Sequence, residues 1–124
     1  MSTRPPAQRR RHGHDIELLT ARWLSERGLR EIARNQHARG GEIDLIMRDG
    51  DTLVFVEVRY RRDCHHGSAV ESVTPAKQRR IVQAARFYLA RERLSCACRF
   101  DVVGVTGTPE ALEFDWIRAA FDAF

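Results

Sequence analysis

Two short apolar-rich runs, 42–48 and 53–60, predict the strands of a β-hairpin. Val54, Val56, Val58 and Tyr60 form one apolar face, and Leu53 and Phe55 add apolar surface on the other. A strand apolar on both sides is expected to be central and covered by helices. Between the runs, Asp49-Gly50-Asp51-Thr52 reads as the turn. Upstream, Ile16, Leu19, Thr20, Trp23 and Leu24 fall at helical spacing and predict a helix over 14–27, stopped at Gly28. A weaker alternation from Leu29 to about Ala38 predicts a further strand, with a break at Gly40-Gly41. Downstream of a polar loop (61–73), Thr74-Pro75 is a helix start, with Thr as N-cap and Pro at the first helical position. Ile81, Ala84, Ala85, Tyr88 and Leu89 give that helix its buried stripe, and Lys77 extends the stripe by one turn. Residues 99–105 predict a strand, Leu112 to about Ile117 another, and 118–123 a short helical end. The order α, three β, α, β defines an α/β domain with a mixed sheet.

The hairpin carries acids that its apolar setting makes costly. Asp44 lies in Gly41-Glu42-Ile43-Asp44-Leu45-Ile46, and Glu57 and Arg59 lie in Leu53-Val54-Phe55-Val56-Glu57-Val58-Arg59. Buried carboxylates need a partner. Side chains alternate along a strand, so 42, 44 and 46 share one face and 53, 55, 57 and 59 share one. A two-residue turn at Asp49-Gly50 sets Asp44 opposite Phe55 and diagonal to Glu57. A four-residue turn at 49–52 sets Asp44 opposite Glu57. Either register gathers Glu42, Asp44, Glu57 and Arg59 on one face, whereas a one-residue slip would separate them. A divalent metal accounts for such a set, and so does a structural ion-pair network of Asp44 and Glu57 with Arg59 and Lys77. Glu42, beside two glycines, is either an exposed turn residue or a member of the site. Glu17 lies at the edge of its helix stripe, facing the sheet or the solvent.

Composition restricts the class. The 124 residues suffice for one domain, and 43% apolar content supports a core. Lys and Arg number 21 against 17 Asp and Glu, with a pI near 9.5. That balance suits a polyanionic partner and is also common on solvated surfaces. Residues 1–12, with Pro5-Pro6 and Arg9-Arg10-Arg11, read as a flexible basic tail ahead of a single domain over 13–124. Arg61, Arg62, Arg79 and Arg80 are candidates for a phosphate-facing rim or for ordinary solvated surface. Three irregularly spaced cysteines are unlike a disulfide framework and fit a reducing cytoplasm. Cys96-x-Cys98 would point to opposite faces of a strand, and with Cys64-His65-His66 it lacks the usual zinc spacing. No stretch approaches the ~20 apolar residues of a membrane span, and the charged N-terminus is unlike a secretory signal.

Four segments together carry a resemblance: the two hairpin runs, Val73-Thr74-Pro75-Ala76-Lys77-Gln78-Arg79-Arg80, and Arg99-Phe100-Asp101-Val102. In this order they resemble the YraN family of bacterial proteins over roughly residues 13–121. That family is in turn similar to restriction-endonuclease-like nucleases and Holliday junction resolvases, which carry a D…(D/E)-x-K signature on a β-hairpin. The resemblance implies a restriction-endonuclease-like αβββαβ core and, as its function, binding of DNA or branched junction DNA with Mg²⁺- or Mn²⁺-dependent cleavage. The alternative is a noncatalytic nucleic-acid-binding or protein-interaction module. Residue by residue, Asp44 takes the place of the first acid and Glu57 that of the second. Arg59 stands where the signature most often has lysine. Glu17, in Gly13-x-x-x-Glu17, matches a first-helix acid that some resolvases add to the metal site, and Lys77 a second-helix phosphate contact. Arg59 cannot give up a proton as a lysine can, but it can clamp a phosphate with two hydrogen bonds. Junction resolvases act as symmetric dimers, so a homodimer is the implied assembly, although no segment marks an isologous interface.

Overall fold

The computed structural model describes residues 6–62 and 68–123, with the backbone alone for 6–14. The elements run α1 (Pro6–Ser25), β1 (Arg30–Ala38), β2 (Gly41–Asp49), β3 (Thr52–Arg61), a 3-10 turn (Val70–Ser72), α2 (Pro75–Arg91), β4 (Cys98–Thr108) and β5 (Ala111–Phe121). This is the expected αβββαβ core with one added strand. The five strands lie in the order β1-β2-β3-β4-β5. β3 and β4 are parallel and the other neighbours antiparallel, so the sheet is mixed.

The two faces bury different cores. On one, Ile16, Ala21 and Leu24 of α1 pack on Leu45, Met47, Val54, Val56, Val103 and Val105. On the other, Ile81, Val82, Ala84, Ala85 and Tyr88 of α2 pack on Ile46, Leu53, Phe55, Phe100 and Val102. Covering both faces explains why β3 is apolar throughout its first half. α2 begins as its sequence dictates: Thr74 caps it by accepting from the Lys77 N–H at 3.2 Å, with Pro75 at the first helical position. Gly28, at φ 101°, takes the left-handed conformation that turns the chain from α1 into β1.

Three expectations are corrected. α1 starts at Pro6 rather than 14 and takes in the arginine run of the expected tail. Residues 118–121 are strand, not helix. Ala119 sits at φ 49° beside a register shift between Phe100 and Val102, so a bulge bends this end of β5 without breaking its pairing. Face counting holds along β2 from Leu45 onward but fails at Ile43. Ile43 joins the α2-side core with Ile46, while Leu45 and Met47 face α1. The backbone therefore turns at Asp44.

Candidate functional site

The β2–β3 ladder sets Leu45 opposite Val56, Ile46 opposite Phe55 and Asp49 opposite Thr52. Asp49 to Thr52 thus closes the hairpin, the second of the two expected registers. The ladder stops at Leu45, one step short of Asp44 and Glu57. There the Asp44 side chain replaces the missing main-chain bond: its Oδ2 accepts from the Val58 N–H at 2.9 Å. A carboxylate held edge-on in the opening between two strands can reach both layers of the domain.

It does so. Asp44 stands beside Glu17 of α1 on one side and Glu57 of β3 on the other, close enough to raise the pKa of both. Carboxyl groups at such a distance can hydrogen-bond one another only when one of them carries a proton. Glu57 is buried, its side chain only 4% exposed. Burial, then the hydrogen bond and charge of Asp44, push its pKa to about 8 against the pull of Lys77 and Arg59. Glu17 is likewise pushed to about 8, first by burial and then by the charges of Asp44 and Glu42, with Asn35 opposing. One oxygen of Glu17 is buried with no hydrogen-bond partner. Glu17 therefore faces the sheet, as one of its two sequence readings held.

Two cations approach from the α2 side. Lys77 Nζ lies 3.5 Å and Arg59 Nη1 3.7 Å from the same Oε2 of Glu57. Both distances exceed those of tight charged hydrogen bonds. The Arg59 guanidinium is aimed by Ser72, whose Oγ accepts from Nε at 3.0 Å while donating to the Ala69 carbonyl at 2.6 Å. Glu42 stands at the rim, exposed, with His37 Nε2 4.0 Å away across β1. Gly41 lets the β1–β2 turn close on α2, since a Cβ there would come 3.0 Å from the Arg80 carbonyl. Arg79, Arg80 and Arg62 are exposed, and Arg61 is half-buried with Nη2 3.3 Å from the Ser68 carbonyl.

The expected set is thus brought together in part: Asp44, Glu57, Glu17, Arg59 and Lys77 converge, Glu42 contributes charge from the rim, and the arginines lie around it. Among the described residues no three His, Cys, Asp or Glu side chains are disposed to hold a metal as they stand. Cys96 and Cys98 are free thiols, and Cys64-His65-His66 lies outside the described residues. Sequence reasoning missed Asn35 and Ser72. Asn35 sits at φ 53° inside β1, a conformation Asn tolerates, and that irregularity is its signal. Ser72 has no local signal, because its role depends on the fold bringing it to Arg59. No helix among the described residues is long and apolar enough to cross a membrane.

These features define a mixed α/β protein with a row of carboxyl groups, Glu57 buried and Glu17 and Asp44 half-buried, where two central strands part. The chain belongs to the uncharacterised protein family UPF0102, whose pattern matches residues 16–105, from α1 into β4. It is 69% identical over 115 residues to a UPF0102 protein of Chromohalobacter salexigens, covering 93% of this chain and 94% of that one. A UPF0102 protein of Nitrosococcus oceani is 50% identical over 118 residues, covering 94% and 95%. The UPF0102 protein YraN of Escherichia fergusonii is 51% identical over 113 residues, covering 89% and 83%.

Proposed function

We propose that this protein binds DNA, including branched DNA, and cleaves it as a Mg²⁺- or Mn²⁺-dependent endonuclease of the restriction-endonuclease-like class. One observation carries the reading: the Glu17–Asp44–Glu57 row, in which both flanking acids are held to about pKa 8 and a buried Glu17 oxygen lacks a partner. Such a row is short of positive charge. Protons supply it at neutral pH, and a hard divalent cation could replace them. The donor set fits that ion, since it offers only oxygen atoms, and magnesium commonly takes one or two carboxylates with water filling the rest of its shell. Asp44 and Glu57 would hold it, with Glu17 and Glu42 in support. When bound, the ion supplies Lewis-acid stabilisation of the phosphate and lowers the pKa of a water.

The protein's own groups do the rest. Arg59, pinned through Ser72, presents its guanidinium to the scissile phosphate and offsets charge developing there. Lys77 lies 3.5 Å from Glu57, where it offsets the charge that Glu57 carries once ionised, and sits at the start of α2, where backbone N–H groups also favour an anion. Arg59 cannot act as the base, because guanidinium does not deprotonate near neutrality. Glu17, once the ion has displaced its proton, is the carboxylate beside the site that could accept one from water. Arg61, Arg62, Arg79 and Arg80 would follow the backbone. A DNA substrate and the free thiols Cys96 and Cys98 go with a cytoplasmic setting, and a two-fold branched substrate with a homodimer.

The contacts of Lys77 and Arg59 with Glu57 favour a second reading, in which the site is an ion-pair network and the protein binds nucleic acid without cutting it. Incubation of the purified chain with duplex, single-stranded and four-way DNA in Mg²⁺ or Mn²⁺ separates the two. Wild-type cleavage abolished by Asp44→Asn and by Glu57→Gln is expected. Equal trace cleavage by all three proteins would overturn the catalytic reading, and absence of DNA binding would overturn both.

A further inference from the structure

The carboxyl row continues outward past Asp44 into β1. Arg34 pairs with Leu45 and Gln36 with Ile43, which sets Asn35 opposite Asp44. Both strands turn at this pair. Ala33 and Gln36, three residues apart, both face α2, which strict alternation forbids: Ala33 packs on the α2-side core, and Gln36 Oε1 accepts from Arg91 Nη2 at 3.1 Å. Asn35, at φ 53°, absorbs the extra residue, as Asp44 does between Ile43 and Ile46. Asn35 Oδ1 and Glu17 Oε2 are each buried without a hydrogen-bond partner. The Asn35 amide also stands beside Glu17, whose pKa it pulls down against burial and the neighbouring acids.

Charge is uneven along this line. On the α2 side, Glu57 has Lys77 at 3.5 Å and Arg59 at 3.7 Å. On the α1 side, the charged groups that act on Glu17 are Asp44 and Glu42, both acids. Positive charge is therefore short on the side where the two unpartnered oxygens lie. Hard divalent ions combine carboxylate, amide-carbonyl and water oxygens in one shell. We propose that Asn35 is a further ligand residue of this site, its Oδ1 joining Glu17 and Asp44 on the α1 side of the divalent ion. The amide supplies an oxygen without adding a fourth carboxylate to a poorly solvated place. The terminal torsion of asparagine has a broad, two-fold profile. Half a turn exchanges the Nδ2 donors, which suit Glu17 when no ion is bound, for Oδ1, which suits the ion. The inference rests on the divalent-ion reading of the carboxyl row.

Calorimetric titration of the full chain with Mn²⁺, beside urea denaturation in EDTA, separates ligation from backbone fit. The titration is run at about pH 8, where both flanking acids can release their protons. Asn35→Gly suits the left-handed backbone and removes the oxygen. It should unfold at the same urea concentration as wild type and bind Mn²⁺ about tenfold more weakly, the scale of one lost group around a metal. Asn35→Asp tolerates the same backbone and keeps an oxygen but not the donor. It should bind Mn²⁺ at least as tightly as wild type. Wild-type affinity in Asn35→Gly would make Asn35 a backbone device alone, and equal losses in both variants would make it a donor to Glu17 alone. Either result overturns the ligand and leaves the proposed function standing. Weaker binding by Asn35→Asp overturns it whether or not the glycine variant folds. A wild-type chain that takes up neither Mn²⁺ nor Mg²⁺ overturns the ion site itself and both readings with it.

Discussion

Asp44 Oδ2 accepts the Val58 N–H at 2.9 Å at the point where the β2–β3 ladder ends. One side chain thereby both terminates the hairpin and presents a carboxylate between the two layers of the domain. Its structural and chemical roles separate by substitution. Asp44→Ala leaves the Val58 N–H without its acceptor and should cost about 1–3 kcal/mol in urea denaturation. Asp44→Asn keeps an acceptor oxygen and should cost less than half of that. Both variants should lose divalent-ion binding in calorimetry, because the charge is gone from each. An Asp44→Asn protein that unfolds as readily as Asp44→Ala would show that charge, not the hydrogen bond, holds β3.

The raised acids make stability depend on pH in a defined direction. Below about pH 4.5, the ordinary value for Glu17 and Glu57, both states carry the protons. Between 4.5 and about 8 the unfolded chain has released them while the folded chain retains them, so stability falls as pH rises. Above about 8 both states are ionised and this loss is complete. In EDTA, Tm should therefore drop from pH 5 to pH 9 by on the order of 5 °C more in the wild type than in Glu57→Gln. Added Mg²⁺ or Mn²⁺ should restore stability most at the alkaline end, where no proton competes for the carboxylates. Parallel pH curves for wild type and Glu57→Gln would show that Glu57 has an ordinary pKa in the folded protein.

The hairpin was legible because its signal is local. Two apolar-rich runs identified the strands, and Asp49-Gly50-Asp51-Thr52 restricted the register to choices that brought Asp44 near Glu57. Thr74-Pro75 was legible for the same reason. What escaped the sequence depends on contacts between distant segments. The turn at Asp44 reverses the face of Ile43, which alternation alone assigns to the α1 side. The end of β5 reads as helix-forming by itself, yet its bulge is held by Asp101, 18 residues earlier, which accepts the Ala119 N–H at 2.9 Å. That bond also explains Arg99-Phe100-Asp101-Val102 as structural. Its acid points away from the carboxyl row and ties β5 to β4.

Asp101 supplies the next prediction. It is fully buried and accepts from Arg99 Nε at 3.0 Å, Trp116 Nε1 at 2.9 Å and the Ala119 N–H, while Arg99 also reaches Asp49 at 2.8 Å. Removing one partner of a buried, hydrogen-bonded charge leaves the other unpaired. Asp101→Ala should destabilise the fold by about 3–5 kcal/mol. Trp116 fluorescence should report early release of β5. Divalent-ion binding by the folded fraction should be unchanged, since Asp44, Glu17 and Glu57 lie elsewhere. Loss of ion binding in a folded Asp101 variant would contradict that separation.

Arg59 is the position at which the proposed cleavage and the proposed ion binding come apart. It lies 3.7 Å from Glu57 and is fixed by Ser72, so on that reading its removal takes a cation from the phosphate side and a counter-charge from Glu57. Arg59→Ala should reduce cleavage by about 10²-fold, the usual scale for one lost charge-stabilising donor. It should leave the affinity for Mn²⁺ equal or greater, because a cation competing for Glu57 is gone. Arg59→Lys keeps the charge but loses the planar fork and the bond to Ser72, so it should retain more activity than alanine. A lysine can also deprotonate, so its rate should continue to climb at alkaline pH where the arginine protein has reached a plateau. Ser72→Ala should reproduce a fraction of the alanine defect by freeing the guanidinium. Equal activity in wild type and Arg59→Ala would confine Arg59 to the ion-pair network around Glu57.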